Sequence, residues 1–204
     1  MKHEWRKHEK ELYGTKEHPK LLTVEKQNFF TIEGVGDPNE EEFSEKIGVL
    51  FSLAYAVKMM PKSDFTPEGY FDYTVYPLEG LWTGDISSGT IDKSTLEYTI
   101  MIRQPDFVTE DIAAKAMAIV QKKKPHKFLE AVRFETIEDG LSLQILHVGS
   151  YDDEPRSFKL MKDYMVKHQL EQTGVYHREI YLSDFRKVAP EKLKTLLRYS
   201  VKSV

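Results

Sequence analysis

The chain has 204 residues, of which 40% are hydrophobic, 12% aromatic and 30% charged, a composition typical of a soluble globular protein. It contains no cysteine, which excludes disulfides, thiolate nucleophiles and sulfur ligands for metals. The formal charge of −4 gives no broad positive electrostatic field that would attract the phosphate backbone of a nucleic acid. No apolar run is long enough to cross a membrane. We therefore predict a cytoplasmic protein that binds neither nucleic acid nor membrane.

The amino-terminal part of the chain is predicted to be a polar leader followed by extended structure. The leader, residues 1–20, contains a short helical pattern from Trp5 to Leu12. Residues 21–36 then read as extended chain and end at the Gly34-Val35-Gly36 turn.

A long helix is predicted to follow this turn. Asp37 is placed as its N-cap, Pro38 at its first position and Glu40 in a capping box. Apolar residues then recur at helical spacing and form a core stripe with a second seam beside it. The stripe is Phe43, Ile47, Leu50, Ala54 and Val57, and the seam is Phe51, Tyr55 and Met59.

The rest of the chain continues to alternate strands and helices. Residues 70–84 predict two strands meeting near Pro77, residues 85–94 a polar loop, and residues 96–105 a strand. Thr109 is predicted to cap a second long helix. Strands at about 130–137 and 141–148 are separated by the turn signal Asp139-Gly140, and a third long helix covers residues 152–168.

The two halves of the chain resemble one another. "TIEGVGDPNEEEF" at 31–43 matches "QILHVGSYDDEPRSF" at 144–158, since each has a strand, Val-Gly, acidic residues and a helical Phe. A tyrosine-rich run follows each helix, "YTVY" at 73–76 and "REIY" at 178–181. We predict one domain, 1–204, built from pseudo-repeats at about 22–104 and 130–204, with a groove where the halves meet.

Four runs carry a resemblance to a known family: "LEGLWTG" (78–84), "YTIMIRQPDFV" (98–108), "LHVGSYDDE" (146–154) and "HREIYLSDFRKVAPEKLKTLLRYSV" (177–201). With these runs in order, the chain resembles the GyrI-like small-molecule-binding family. The resemblance is to its stand-alone branch, which is related to the effector-binding domains of multidrug-responsive transcription regulators.

The resemblance implies an α+β fold of duplicated strand-helix-strand-strand repeats. These repeats form one curved antiparallel sheet with two helices over its concave face and a ligand cleft between the halves. In the related regulators an acidic residue at the floor of the cleft meets lipophilic cations. The matching position here is Glu179, and Trp82 of "GLWTG" matches a wall residue.

The strand around Glu179 raises a question of orientation. Alternation places His177, Glu179 and Tyr181 on one face, while the more apolar face contains Arg178 and Ile180. A buried carboxylate needs partners. We expect the face of Glu179 to line the ligand cavity and the opposite face to be covered by terminal segments such as the region around Trp5.

Aromatic side chains are the candidates for the cavity wall, because rigid rings give flat apolar area and attract cations. Packing in the core is the alternative role for each of them. No spacing of histidines or carboxylates predicts a metal site, and no cofactor is expected. The ligand-binding candidates are Glu179, Trp82, Tyr55, Tyr98, Tyr151, Tyr181 and Phe51.

These observations predict a protein that binds lipophilic, aromatic or cationic small molecules for xenobiotic sensing, sequestration or detoxification. Members of this branch are implicated in hydrolysing cyclopropane-bearing DNA-alkylating natural products, so a hydrolase is the alternative. In that case Glu179 is the general acid or base, and Tyr55 or Tyr151 binds the substrate carbonyl. A gyrase-inhibitor-like interaction module is a further alternative, and the sequence predicts no oligomeric state.

Overall fold

The computed structural model describes residues 2–83 and 95–204. The predicted polar loop, residues 85–94, lies outside the described residues. Four helices lie within the described ranges, joined in places by short 3₁₀ turns. They are α1 (Trp5–His8), α2 (Glu41–Met59), α3 (Glu110–Lys123) and α4 (Glu154–Lys167).

The described strands form a nine-stranded antiparallel sheet. In chain order they are β1 (Lys20–Val24), β2 (Gln27–Val35), β3 (Leu78–Thr83), β4 (Glu97–Gln104), β5 (Arg133–Ile137), β6 (Gly140–Val148), β7 (Leu170–Gln172), β8 (Tyr176–Tyr181) and β9 (Lys194–Ser203). Their order across the sheet is β1-β6-β9-β8-β3-β4-β2-β5, and β7 pairs with β9 off this path.

The sheet order shows the internal duplication. The units β2-α2-β3-β4 and β6-α4-β8-β9 have the same strand-helix-strand-strand order, and they meet where β8 pairs with β3. The sheet is curled into a half-barrel, and the predicted α+β fold is confirmed.

One face of the sheet is packed against the helices. Helix α2 contacts β2 and β4, while α4 contacts β6 and β7. The cross-strand register gives a continuous row of side chains on this face, which belongs to both repeats. From one half to the other the row is Ile145, Leu197, Glu179, Gly80, Ile100 and Ile32.

The opposite face is covered by the amino-terminal segment, as predicted. Arg103 forms an ion pair with Glu9 and donates to the Tyr13 hydroxyl at 3.3 Å. Arg198 donates to the carbonyl of Leu12 at 3.3 Å. Trp5 is buried and its indole N–H binds the backbone of residue 75. The helical part of the leader is shorter than predicted, since α1 ends at His8.

The predicted start of the first long helix was wrong. Helix α2 begins at Glu41, and its N-cap residue Glu40 makes no side-chain capping bond. Asp37 instead accepts a hydrogen bond from the backbone N–H of Asn39 at 2.9 Å. This Asx-type turn satisfies the backbone N–H of Asn39, and the helix begins only after it. The predicted stripe is buried apart from the half-buried Ile47.

One strand prediction was also wrong, and two strands that are present as predicted do not pair with each other. Residues 70–77 form no named strand, because this segment pairs with the leader through a bridge between His3 and Tyr73. Strands β5 and β6 do not form a hairpin, since β5 pairs with β2 while β6 pairs with β1 and β9. The pairs Val24–Gly140 and Gln27–Ile137 bring the two ends of the sheet to one corner. Long-range pairing has overridden a local turn signal here.

Across the two described ranges, no helix has the combination of length and apolar character needed to cross a membrane.

Candidate functional site

Glu179 lies in the central strand β8, at the junction of the two repeats and on the helix-packed face. Its side chain is 6% exposed, so the carboxylate is removed from bulk water. It accepts hydrogen bonds from His177 Nε2 at 3.0 Å and from the Tyr181 hydroxyl at 2.8 Å. Two charge-assisted bonds thus hold the carboxylate in one position.

A hydrogen-bonded aromatic pair lies beside this acid. Trp82 Nε1 donates to the Tyr181 hydroxyl at 2.9 Å, so one hydroxyl connects the two repeats. The close contact between the Trp82 indole and the Tyr181 hydroxyl depends on Gly80 of β3. A Cβ at position 80 would lie 2.5 Å from Trp82 Nε1 and 3.2 Å from the Tyr181 hydroxyl. Only glycine leaves room for this pair.

More rings extend the site on both sides. The Trp82 and Tyr98 rings are 5.3 Å apart, and Phe43 from α2 packs edge-on to Tyr98 at 5.0 Å. On the other side Tyr151 packs edge-on to Tyr181 at 6.1 Å. These are favourable aromatic geometries. The result is an arc of rings around Glu179 with Tyr151, 36% exposed, at its outer end.

A second acid, Glu154, lies next to Glu179. It is the first residue of α4, is 1% exposed, and its Oε1 accepts no hydrogen bond. Its neighbours in the chain face the strand of Glu179, since Tyr151 packs against Tyr181 and Phe158 packs against His177. Burial, and then the charge of Glu179, raise the pKa of Glu154 well above the ordinary value of 4.5.

The same environment affects the neighbouring phenols. Burial, followed by the charge of Glu179, raises the pKa of Tyr181 and of Tyr151. Both hydroxyls therefore stay protonated and remain hydrogen-bond donors.

Two histidines contact helix α4 and the turn before it, and so stabilise the surroundings of the site. His177 packs edge-on to Phe158 of α4 at 5.0 Å. His147 is fully buried and bonds Ser157 Oγ and the Ser150 carbonyl, both at 2.9 Å. Burial lowers the pKa of His147, so the neutral ring is favoured. These bonds fix the turn that carries Tyr151 and Glu154.

Five of the seven candidates from the sequence form one connected group: Glu179, Trp82, Tyr98, Tyr151 and Tyr181. The other two lie on α2. Tyr55 is 50% exposed, and Phe51 is half-buried against the main core. Within the described part of the chain, neither makes a ring contact or hydrogen bond with the group.

Glu154, His177 and Phe43 were not among the site residues predicted from the sequence. A signal for Glu154 was present, because it belongs to the acidic helix start that the two repeats share. Strand alternation also placed His177 on the face of Glu179. That Glu154 meets Glu179 depends on how α4 packs against the sheet, which no local pattern gives.

Pockets also lie elsewhere among the described residues. One of about 740 Å³ lies between residues 65–68 and the start of α3, and one of about 170 Å³ lies on the opposite face of the sheet. Neither includes Glu179.

The opposite face of β8 contains a buried ionic network. Arg178 binds Glu79 at 2.9 Å and Asp139 at 2.6 Å, and Arg198 binds Asp139 at 3.3 Å. Burial alone would raise the pKa of Asp139, but the two arginines outweigh it and the pKa lies below its ordinary value. Because its charges are balanced, we assign this network a structural role.

The fold and the buried acid between its two repeats define a class of small-molecule-binding domains. The chain belongs to the GyrI-like small molecule binding domain family, whose sequence model matches residues 17–202.

Solved structures agree with this assignment. A hydrolase encoded by lin2189 from Listeria innocua is 35% identical, with a TM-score of 0.92 and coverage of 99% of this chain and 100% of that one. A second hydrolase from Listeria innocua is 36% identical, with a TM-score of 0.90 and coverage of 98% and 100%. The C-terminal domain of EcmrR, 13% identical with a TM-score of 0.53 and coverage of 92% and 98%, shares the fold. Comparison with curated proteins found no match.

Proposed function

We propose that the protein binds lipophilic, aromatic cations in the site around Glu179. One observation carries the proposal: the buried carboxylate of Glu179 lies in an arc of hydrogen-bonded and packed aromatic rings, and a second acid, Glu154, is buried at the start of α4. No ion pair between described residues brings a lysine or arginine to either acid. A cationic ligand would supply the missing positive charge, and the rings would attract it over their faces.

The route to Glu179 passes Tyr151. This ring is the most exposed of the connected group, and it contacts Tyr181, which in turn covers the acid. A flat ligand that displaces Tyr151 would stack against Tyr181 and Trp82. Membership of a small-molecule-binding family and the arc of rings both support this binding mode.

The test is a titration with tetraphenylphosphonium, a permanently charged aromatic cation. Binding is measured by the quenching of Trp82 fluorescence and by calorimetry. We expect the Glu179→Gln variant to lose about tenfold or more in affinity, because each lost 1.4 kcal/mol of charge interaction is worth a factor of ten. The neutral triphenylphosphine oxide should bind the native protein weakly.

The matched control is Glu191→Gln, which removes the same charge at an exposed position. It should bind the cation like the native protein. Equal affinity of Glu179→Gln and the native protein would contradict the proposal.

A hydrolase of cyclopropane-bearing alkylators is the second candidate. Two relatives described as hydrolases are 35% and 36% identical to this chain over nearly its full length. The acid pair suits the chemistry: an ionised carboxylate takes a proton from the attacking water, and a protonated carboxyl supplies one to the substrate oxygen. Tyr151 is positioned to hydrogen-bond the substrate carbonyl.

Incubation with such an alkylator, followed by mass spectrometry, tests this candidate. Addition of water to the compound is the expected result, and Glu179→Gln should abolish it. Recovery of the unaltered compound would reject hydrolysis of that substrate while leaving the binding proposal in place.

A further inference from the structure

We infer that the pocket on the opposite face of the sheet from Glu179 binds a small organic carboxylate. This pocket, of about 170 Å³, lies where β8 and β9 meet the turn between β5 and β6. Two buried arginines, Arg178 and Arg198, form part of its lining. The inference concerns a second site and does not depend on the proposed cation site.

The positive charges of the two arginines are unequally compensated. Arg178 binds two carboxylates, Glu79 at 2.9 Å and Asp139 at 2.6 Å. Among the described residues, Arg198 has Asp139 as its one ion-pair partner, at 3.3 Å, and shares it with Arg178. The shorter bonds of Arg198, at 3.0 and 2.7 Å, go to the neutral amide oxygen of Gln144. The charges of this network cancel in sum, but Arg198 has the smaller share of the negative charge.

Hydrogen-bond donors without partners also belong to the pocket lining. Arg178 is 3% exposed, and its buried Nε makes no hydrogen bond to any described residue. The side-chain hydroxyls of Thr173 and Ser200 line the same pocket and are likewise not bonded within the two described ranges. Buried donors are costly to leave without an acceptor. A ligand that brings acceptor oxygens to this side of the pocket would supply the missing partners.

The rest of the lining indicates the chemical class of the ligand. Leu81, Ile137 and Tyr176 give the pocket an apolar side opposite in character to the arginines. Guanidinium groups match the planar geometry of a carboxylate, and the apolar side would contact a short hydrocarbon or aromatic body. The volume lies below the range of about 300–1,000 Å³ that is usual for drug-sized ligands, so the ligand is small.

Other small ligands fit this lining less well. A cation is disfavoured, because the carboxylate that lines the pocket, Asp139, already binds both arginines. Inorganic phosphate would match the arginines but would leave the apolar side without a contact. An organic carboxylate uses both parts of the lining.

Titration calorimetry with benzoate tests the inference. Benzoate should bind the native protein saturably, with one site per chain. Benzamide has the same shape without the charge, and inorganic phosphate has charge without an apolar body. Each should bind at least about tenfold more weakly, which corresponds to about 1.4 kcal/mol. Absence of saturable benzoate binding, or equal binding of benzamide or phosphate, would overturn the inference.

Two variants place the benzoate in this pocket. Arg198→Gln removes the less compensated charge and should weaken benzoate binding about tenfold or more. Because Arg198 is buried, the fold of this variant is checked by circular dichroism. Ser200→Leu keeps both arginines and fills the pocket from β9, so it should also lose at least about tenfold in affinity. It decides the question if Arg198→Gln does not fold.

The matched control is Ser203→Leu, which makes the same change at an exposed position of the same strand outside the pocket lining. Its affinity for benzoate should equal that of the native protein. Unchanged affinity in Ser200→Leu, or an equal loss in Ser203→Leu, would contradict the placement of the ligand.

Discussion

The Tyr181 hydroxyl is the residue-scale link between the two repeats. It donates to Glu179 and accepts from Trp82, so it satisfies two polar groups that are almost fully buried. Such groups are costly to leave without a partner. The site thus depends on one atom both for the position of the acid and for the position of the indole.

Removing this hydroxyl should therefore destabilise the fold. We expect Tyr181→Phe to lower the free energy of unfolding by about 1–3 kcal/mol, measured by urea denaturation. Tyr176→Phe, on the same strand but 46% exposed, is the control and should change it by less than about 0.5 kcal/mol. Equal stability of the two variants would mean that the Tyr181 hydroxyl is not needed to satisfy its neighbours.

At the scale of elements, two strands of the first repeat each place a glycine beneath a large ring. Gly80 on β3 makes room for Trp82, and Gly34 on β2 is crossed by the ring of Tyr98. A side chain at either position would push the ring away from the sheet. The strands can thus hold rings flat against the backbone, which a regular alternation of side chains would prevent.

Gly80→Ala tests this arrangement against Gly48→Ala. The new methyl group at position 80 meets Trp82 at 2.5 Å, so overpacking should cost about 1–3 kcal/mol of stability and shift Trp82 fluorescence. Gly48 lies within α2 with no atom within 4 Å of an added Cβ, and alanine there should stabilise by about 0.5–1 kcal/mol. If Gly80→Ala stabilised the protein, the close contact between position 80 and the Trp82 ring would be contradicted.

At the scale of the whole molecule, the ionic network fixes the corner where the ends of the sheet meet. Asp139 lies between β5 and β6, and it binds Arg178 and Arg198 on the two central strands. On the opposite side of β8 from Glu179, charges hold Arg178 in place, while Ile180 packs in the hydrophobic core. Removal of one partner would leave buried arginines without compensation.

Asp139→Asn should accordingly lower the free energy of unfolding by about 3–5 kcal/mol near neutral pH. The folded-state pKa of Asp139 lies below the unfolded value of 3.8. This contribution is thus complete above pH 3.8 and is lost as the pH falls through the folded pKa, so the gap between native protein and variant should narrow in acid.

Asp163→Asn is the control for this network. It breaks an exposed pair with Lys159 and should cost less than about 0.5 kcal/mol at either pH. A gap between native protein and Asp139→Asn that does not change in acid would contradict the role of the Asp139 charge.

Local patterns in the sequence predicted much of this fold. The apolar stripe of α2 and the Thr109 cap of α3 both follow from spacing and capping chemistry that act within a few residues. The resemblance between the halves predicted the order of elements in each repeat. Local signals failed at Asp37 and at the Asp139-Gly140 turn, where a nearby polar group or a distant strand offered a better partner.

Strand alternation is enough to place Glu179 on one face with His177 and Tyr181, because it needs no tertiary contact. Local patterns do not predict that Trp82 meets Tyr181 or that the leader covers the opposite face. Each of these contacts joins residues far apart in the chain. They depend on how β3 and the amino terminus pack against β8 and its neighbours, and that packing is a property of the whole sheet.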